Sequence, residues 1–224
     1  MRRKILLLLL SLVFTTTGYA QSVSIRVGTL GPGLHFSIPV SSSLSLRAGG
    51  SYFAYSHSAA IEDEDVNVDF QGDLDWGGAT LLVDWYPFRS GFRLTGGAFY
   101  NLIKVTGTGV PTEPYFLNEG QSNEKIFQPE RLGSLSANLT YGSKINPYAG
   151  IGFGDGARGA RVSFLFELGA IYVGSPEIEM QGTGMIAGSA SQDEVLTEGL
   201  ESFQWLPVVS VGLAIRIGKA SERR

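Results

Sequence analysis

The sequence holds two histidines, and both stand beside serines. His35-Phe36-Ser37 sets an imidazole and a hydroxyl two residues apart, which on a strand means the same face. A histidine that takes a serine's proton makes the hydroxyl a nucleophile for acyl transfer. That chemistry needs a third group to orient the imidazole, and no carboxylate can be assigned to the task, so the pair reads as polar residues of a lumen or rim. Ser56-His57-Ser58 falls at a strand end and carries no more. The acidic run Glu62-Asp63-Glu64-Asp65, with Asp69, Asp73 and Asp75 beyond it, offers oxygen ligands to a divalent cation. It lacks the fixed spacing and turn glycine of a calcium loop and reads as a solvated connection. Gly150-Ile151-Gly152-Phe153-Gly154-Asp155-Gly156 is spaced like a nucleotide loop, but no helix follows to receive a phosphate, so strand plus turn is the reading. Cysteine is absent, which excludes thiolate catalysis, thiolate metal sites and disulfides. No catalytic residue, cofactor site or metal site is expected.

What positions these residues is a series of strands with period-two alternation, broken by turn residues. The stretch 23–38 carries Val23, Ile25 and Val27, then Leu34, Phe36 and Ile38 after Leu30-Gly31-Pro32-Gly33, where the parity changes. Leu44, Leu46, Ala48, Gly50 and Tyr52 face away from Ser45, Arg47, Gly49 and Ser51. A third element runs from about 66 to 86, and a fourth sets Phe92, Leu94, Ala98, Tyr100 and Leu102 against Arg93, Thr95, Gly97 and Asn101. A polar stretch over 105–130 precedes Leu135, Ala137, Leu139 and Tyr141. Strands over 148–153, 162–172 and 203–217 complete a set of about eight, with one weak amphipathic pattern near 191–203.

Composition and the N-terminus decide which side of this pattern meets solvent. Charged residues are 17%, against about a quarter in soluble domains, and the polar faces are rich in glycine and serine. Arg2, Arg3 and Lys4 precede the apolar stretch Ile5 to Phe14, and Gly18 and Ala20 offer the small residues a signal peptidase accepts. Ten apolar residues are too few to cross about 30 Å of hydrocarbon, so residues 1–20 read as a cleaved signal peptide. Its loss leaves 14 basic against 21 acidic residues, a charge of −7 with no basic stripe, which excludes nucleic acid as a partner. In a membrane barrel the apolar faces meet lipid and the small, polar faces pack the lumen. Aromatic clusters at Trp85-Tyr86-Phe88-Phe92 and at Tyr52-Phe53-Tyr55-Trp76 fit the girdles of its two interfaces.

Leu30-Gly31-Pro32-Gly33, Asp84-Trp85-Tyr86-Pro87-Phe88, Phe92-Arg93-Leu94-Thr95-Gly96-Gly97 and Pro147-Tyr148-Ala149-Gly150-Ile151-Gly152 resemble blocks in bacterial outer-membrane β-barrels akin to the small OmpA and OmpW types. The resemblance implies an all-β fold, an antiparallel transmembrane barrel over 21–218. It also implies outer-membrane lipid, lipopolysaccharide included, and the barrel assembly machinery as partners. The family ends on an aromatic that the machinery reads, whereas Ile217-Gly218 here precedes a polar tail over 219–224. Outer-membrane lipid A deacylases share a His-x-Ser pair, but theirs lies late in the chain and continues beyond the serine, whereas Ile38-Pro39 follows this one. Eight strands place the short connections on the wrong side of the membrane. Ten, with 22–39 split at Leu30–Gly33 and a strand added near Glu177–Ala187, would right them. Eight is favoured because the split pieces would be short for a crossing.

Arg47, Arg93 and Arg216 fall on the polar faces of their strands, as does Glu167 between Phe166 and Leu168. An arginine turned to lipid at mid-depth costs about 2–4 kcal/mol, so these side chains are expected inside. There they would form a charged cluster, with Asp84 as a second acceptor, that closes the lumen in place of apolar packing. The function expected is a structural or surface-interaction role in the envelope, the alternatives being a narrow solute pore and, behind it, a lipid-modifying hydrolase. N-terminal sequencing of the exported protein should find Gln21 first; retention of Met1 would remove the basis for export.

Overall fold

The computed structural model describes residues 21–61, 67–88, 91–117, 125–157, 159–187 and 204–217. The expected signal peptide, the acidic run 62–65, the amphipathic pattern near 191–203 and the tail 219–224 lie outside these residues. The strands are β1 (Gln21–Gly28), β2 (Gly31–Pro39), β3 (Leu44–Ile61), β4 (Val68–Trp85), β5 (Phe92–Asn101), β6 (Lys104–Pro111), β7 (Tyr115–Leu117) and β8 (Lys125–Phe127). After the single turn of α1 (Pro129–Leu132) come β9 (Leu135–Tyr141), β10 (Ile145–Phe153), β11 (Val162–Tyr172), β12 (Pro176–Gly182) and β13 (Trp205–Ile217).

Eight strands close a ring in the order β1-β2-β3-β4-β5-β10-β11-β13, and β13 returns to β1 with Gln21 opposite Ile217. Every pairing is antiparallel, and closure removes the free edges that a membrane interior does not tolerate. The count of eight stands, but its membership differs from the sequence reading. The stretch 22–39 is two strands, β1 and β2, joined by a tight turn at Thr29-Leu30. The parity change at Leu30–Gly33 is thus a hairpin. The segment 135–141, taken as a wall strand, is β9 and lies outside the ring. A strand does occur near 177, as β12, and it too lies outside the ring. With these exchanges the short turns 40–43 and 86–91 and the connection 154–161 fall at the end where Gln21 meets Ile217, and the two-residue β1–β2 turn is the short connection left at the opposite end.

The wall turns its apolar rows outward. Ile25, Leu34, Leu81, Ile151, Phe164 and Leu213 are all exposed, Phe164 by 64%. A water-soluble barrel would bury such a set, whereas one that spans a bilayer presents it to lipid. Aromatic rings mark the two rims. Phe92 lies 6.1 Å from Phe88 and 5.5 Å from Phe153 at one end, and Tyr172 lies 5.0 Å from Trp205 at the other. Phe92 to Tyr100 of β5 is about the length with which a tilted strand crosses a bilayer.

Strands β3 and β4 run on past the ring. Only Gly78–Trp85 of β4 pair with β5, while Val68–Asp75 pair with β6. There β3, β4, β6, β9 and β12 form a sheet that stands beyond the wall. The change of partner occurs at Gly77, whose φ of 122° lies where side-chain-bearing residues rarely go. Its carbonyl accepts the amide of Leu102 at 3.1 Å, just where β5 leaves the ring. A Cβ on Gly77 would overlap the Ser51 carbonyl oxygen. Strand β6 escaped the sequence reading because Lys104-Val105-Thr106-Gly107-Thr108-Gly109 is too polar to show an apolar face.

Gly77→Ala should cost about 1–3 kcal/mol, since it adds a steric clash to backbone strain. Gly174→Ala serves as reference, because Gly174 has φ 74° with no atom within 4 Å of the added Cβ and so reports strain alone. Urea unfolding in lipid vesicles measures both. A loss at Gly77 no larger than at Gly174 would show that the partner switch tolerates a side chain.

Candidate functional site

Inside the ring the side chains form layers. Midway, Glu167 of β11 is 3% exposed and accepts from three guanidinium groups. Arg26 Nη1, Arg47 Nη1 and Arg93 Nη2 reach its Oε2 at 2.8, 2.7 and 2.6 Å. Its Oε1 accepts Arg47 Nη2 at 3.1 Å and the Tyr148 hydroxyl at 2.5 Å. Five donors therefore meet a carboxylate with about four lone-pair sites. Asp84 is the second acceptor, bound by Arg47 Nη2 at 3.1 Å and by the Thr95 hydroxyl at 2.7 Å, with Arg93 Nε at 3.6 Å. Arg93 Nη1 also donates to the carbonyls of Phe153 and Gly154, which anchors the start of the β10–β11 connection.

Register explains how five charges from five strands converge. Gly152 stands between Arg93 on β5 and Glu167 on β11 in one cross-strand row. Its missing side chain is the space the guanidinium fills, since a Cβ there would lie 2.7 Å from Arg93 Cζ. Gly212 does the same for Arg26, whose Cγ would be 2.8 Å from an added Cβ. An eight-stranded interior is only wide enough to be filled by side chains, so each large inward residue needs a small one beside it.

Above the charges, toward the end bearing the sheet extension, the layer is apolar. Leu82, Phe99, Ile171 and Val208 point inward from four strands, and Leu30, Ile103 and Val173 pack over them. Below the charges, Ser22, Ser24 and Ser45 line the wall, and Gly156 and Ala157 of the β10–β11 connection fold in as a floor. A Cβ on Gly156 would lie 2.5 Å from that of Ala214. Arg47, Arg93, Glu167 and Asp84 thus sit together. Apolar packing also closes the lumen, which corrects the expectation that charge alone would do so. The inward parity of Phe99 with Arg93 and Thr95 was there to be read in the sequence.

Arg216, expected in the cluster, is not in it. Its guanidinium donates to the Gly159 carbonyl at 2.7 Å, at the floor. Glu167 pairs with Ser210, and Arg216 is six residues further along β13, about 20 Å away along the strand. Arg26 takes the place, and its alternation with Ile25 and Val27 was the signal that sequence reasoning missed. His35 is 8% exposed and turned into the lumen, with its Nδ1 unpartnered. His57 lies on the sheet extension against Tyr55, the rings 6.1 Å apart.

The extension has faces of its own. Ser56, Asp73, Thr106, Asn138 and Glu179 make a polar row across five strands, and Tyr55, Leu74, Val105, Leu139 and Ile178 make an adjacent apolar row. The Ser56 hydroxyl donates to Asp73 at 2.6 Å and Thr106 to Asn138 at 3.1 Å. Tyr52 donates to Asp75, and that bond holds the Tyr52 phenol above its ordinary range. Asp69, Asp73 and Asp75 thus belong to strand β4, and among the described residues no group of three metal-ligating side chains occurs.

No family profile matches the sequence, and no curated protein does. Among solved structures, the crystal structure of CarO2 from Acinetobacter baumannii is similar, with TM-score 0.56 and 21% identity over 89% of this chain and 99% of that one. The crystal structure of CarO from the same organism gives TM-score 0.53 and 18% identity over 88% and 97%. The likeness is one of fold, and the fold is that of the small outer-membrane β-barrels.

Glu167→Gln leaves three buried guanidinium groups short of a charge and should cost about 3–5 kcal/mol of unfolding free energy in lipid. Arg93→Gln should cost less, because Arg26 and Arg47 remain on Glu167. The double variant should fall short of the sum by about 0.5–3 kcal/mol. Additive losses would show that the two side chains do not share an interaction.

Proposed function

We propose that this protein is a sealed outer-membrane barrel whose work is done by the sheet it carries beyond the wall. The observation behind this reading is the filled lumen: an apolar layer, a charged layer and a folded-in floor stand one above another along the axis. Two cavities beside the charged layer are about 30 and 10 Å³, room for a water or two and not for a solute path. A wide aqueous channel belongs to barrels of about sixteen strands.

Bacterial barrels keep their short turns on the periplasmic side. On that rule the end where Gln21 meets Ile217 faces the periplasm, and the extension of β3, β4, β6, β9 and β12 projects outside the cell. Its polar and apolar rows then form a surface for contact with the envelope or with what lies beyond it, a structural and interaction role. Trp76 Nε1 donates to the Thr29 carbonyl at 2.8 Å and ties the extension to the β1–β2 turn, so the sheet is held in a defined place over the wall. A hydrolase is disfavoured because His35 sits inside the lumen, out of reach of an acyl chain on the lipid side.

Protein reconstituted into planar bilayers should show no steady conductance. A stable, large conductance in the unmodified protein would replace this reading with that of a solute pore.

A further inference from the structure

The buried charges of the lumen do not balance. Among the described residues they are Arg26, Arg47 and Arg93 against Asp84 and Glu167, which leaves one positive charge over. An uncompensated charge in a closed interior is costly. The donors are also in excess. Glu167 already receives five, and Arg47 Nε, Arg93 Nε and His35 Nδ1 are buried with no hydrogen-bond partner.

Beside this cluster lies the cavity of about 30 Å³, bordered by Arg26, Arg47, His35, Thr80, Tyr148 and Glu167 among others. Two of its lining residues, His35 and Thr80, each carry a buried polar atom, Nδ1 and the hydroxyl, that has no hydrogen-bond partner in the protein. His35 is more than nine-tenths buried. The Thr80 hydroxyl donates, as does His35 in its Nδ1–H tautomer, and the guanidinium groups of Arg26 and Arg47 bring positive charge to the same space. The one acidic neighbour, Glu167, has its oxygens covered by the arginines and Tyr148. A cavity of this size holds one or two water-sized particles, too little for phosphate, sulfate or a carboxylate ligand.

We infer that the cavity between Arg26, Arg47, His35 and Thr80 is a binding site for one monatomic anion, a halide such as chloride. The bound ion neutralises the cluster and occupies the unpartnered donors, so it acts as a structural ion of the folded barrel. Binding to the folded state alone raises stability with anion concentration.

Full-length protein in detergent micelles is unfolded by heat while bromide replaces gluconate at constant ionic strength. The midpoint should rise by about 5 °C at saturating bromide and should not rise with sulfate. Arg26→Met keeps the apolar stem beside Gly212 but leaves two charges of each sign, and it should abolish the response. Asp84→Asn raises the excess to two and should shift the response to at least tenfold lower bromide. A wild-type midpoint that ignores bromide overturns the site, as does an undiminished response in Arg26→Met. Where a variant does not refold, anomalous diffraction from wild-type crystals grown in bromide decides: a peak between Arg26, Arg47 and His35 supports the site, and its absence from that position rejects it.

Discussion

A single carboxylate organises the interior of this barrel. Glu167 draws guanidinium groups from β1, β3 and β5 onto β11, and so cross-links strands that are not neighbours in the ring. In water such pairs contribute little, but here they sit between walls that exclude solvent, and each is hydrogen-bonded as well as charged. The cost of leaving any one charge alone is what makes the arrangement specific: a register slip of one residue would turn arginine toward lipid and leucine toward the lumen.

Space follows from that constraint. The interior of an eight-stranded ring cannot hold three arginines, a tyrosine and a histidine unless the neighbouring strands give way. Gly152 lies under Arg93, Gly212 beside Arg26, Gly49 against the His35 ring and Gly169 under the Tyr148 hydroxyl. The high glycine content is therefore the complement of the large inward side chains. Gly77 answers a different demand, the exchange of β5 for β6 along one continuous strand.

The wall also carries a second structure. The 18-residue strands β3 and β4 place their lower halves in the ring and their upper halves in the open sheet, so barrel and extension share a backbone. The pairing of β4 passes from β6 to β5 across Trp76 and Gly77 alone, with the Gly77 carbonyl still accepting the Leu102 amide, and for this reason the extension is held firmly to the barrel beneath it. The apolar layer of Leu82, Phe99 and Ile171 lies at the junction and belongs to both parts.

The sequence by itself determined what depends on neighbours along the chain. Alternation of Ile25 with Arg26, Phe166 with Glu167 and Leu94 with Arg93 sets which side chains face inward, because successive residues of a strand must point to opposite sides. Lipid-facing rows, aromatic rims and the presence of charge in the lumen follow from that rule. Which strands meet is another matter. Leu135 to Tyr141 alternates as regularly as any wall strand, yet it pairs with β6 and β12 in the extension. The parity change at Leu30–Gly33 falls inside what reads as one strand, yet it marks the hairpin that supplies the missing strand. The depth of a side chain depends on register between strands far apart in sequence, so Arg216 shares the inward face of the cluster without its level, and Arg26 reaches Glu167 across 141 residues of chain. Period and polarity are local properties; closure, register and the convergence of charges on one carboxylate are settled only when the ring shuts.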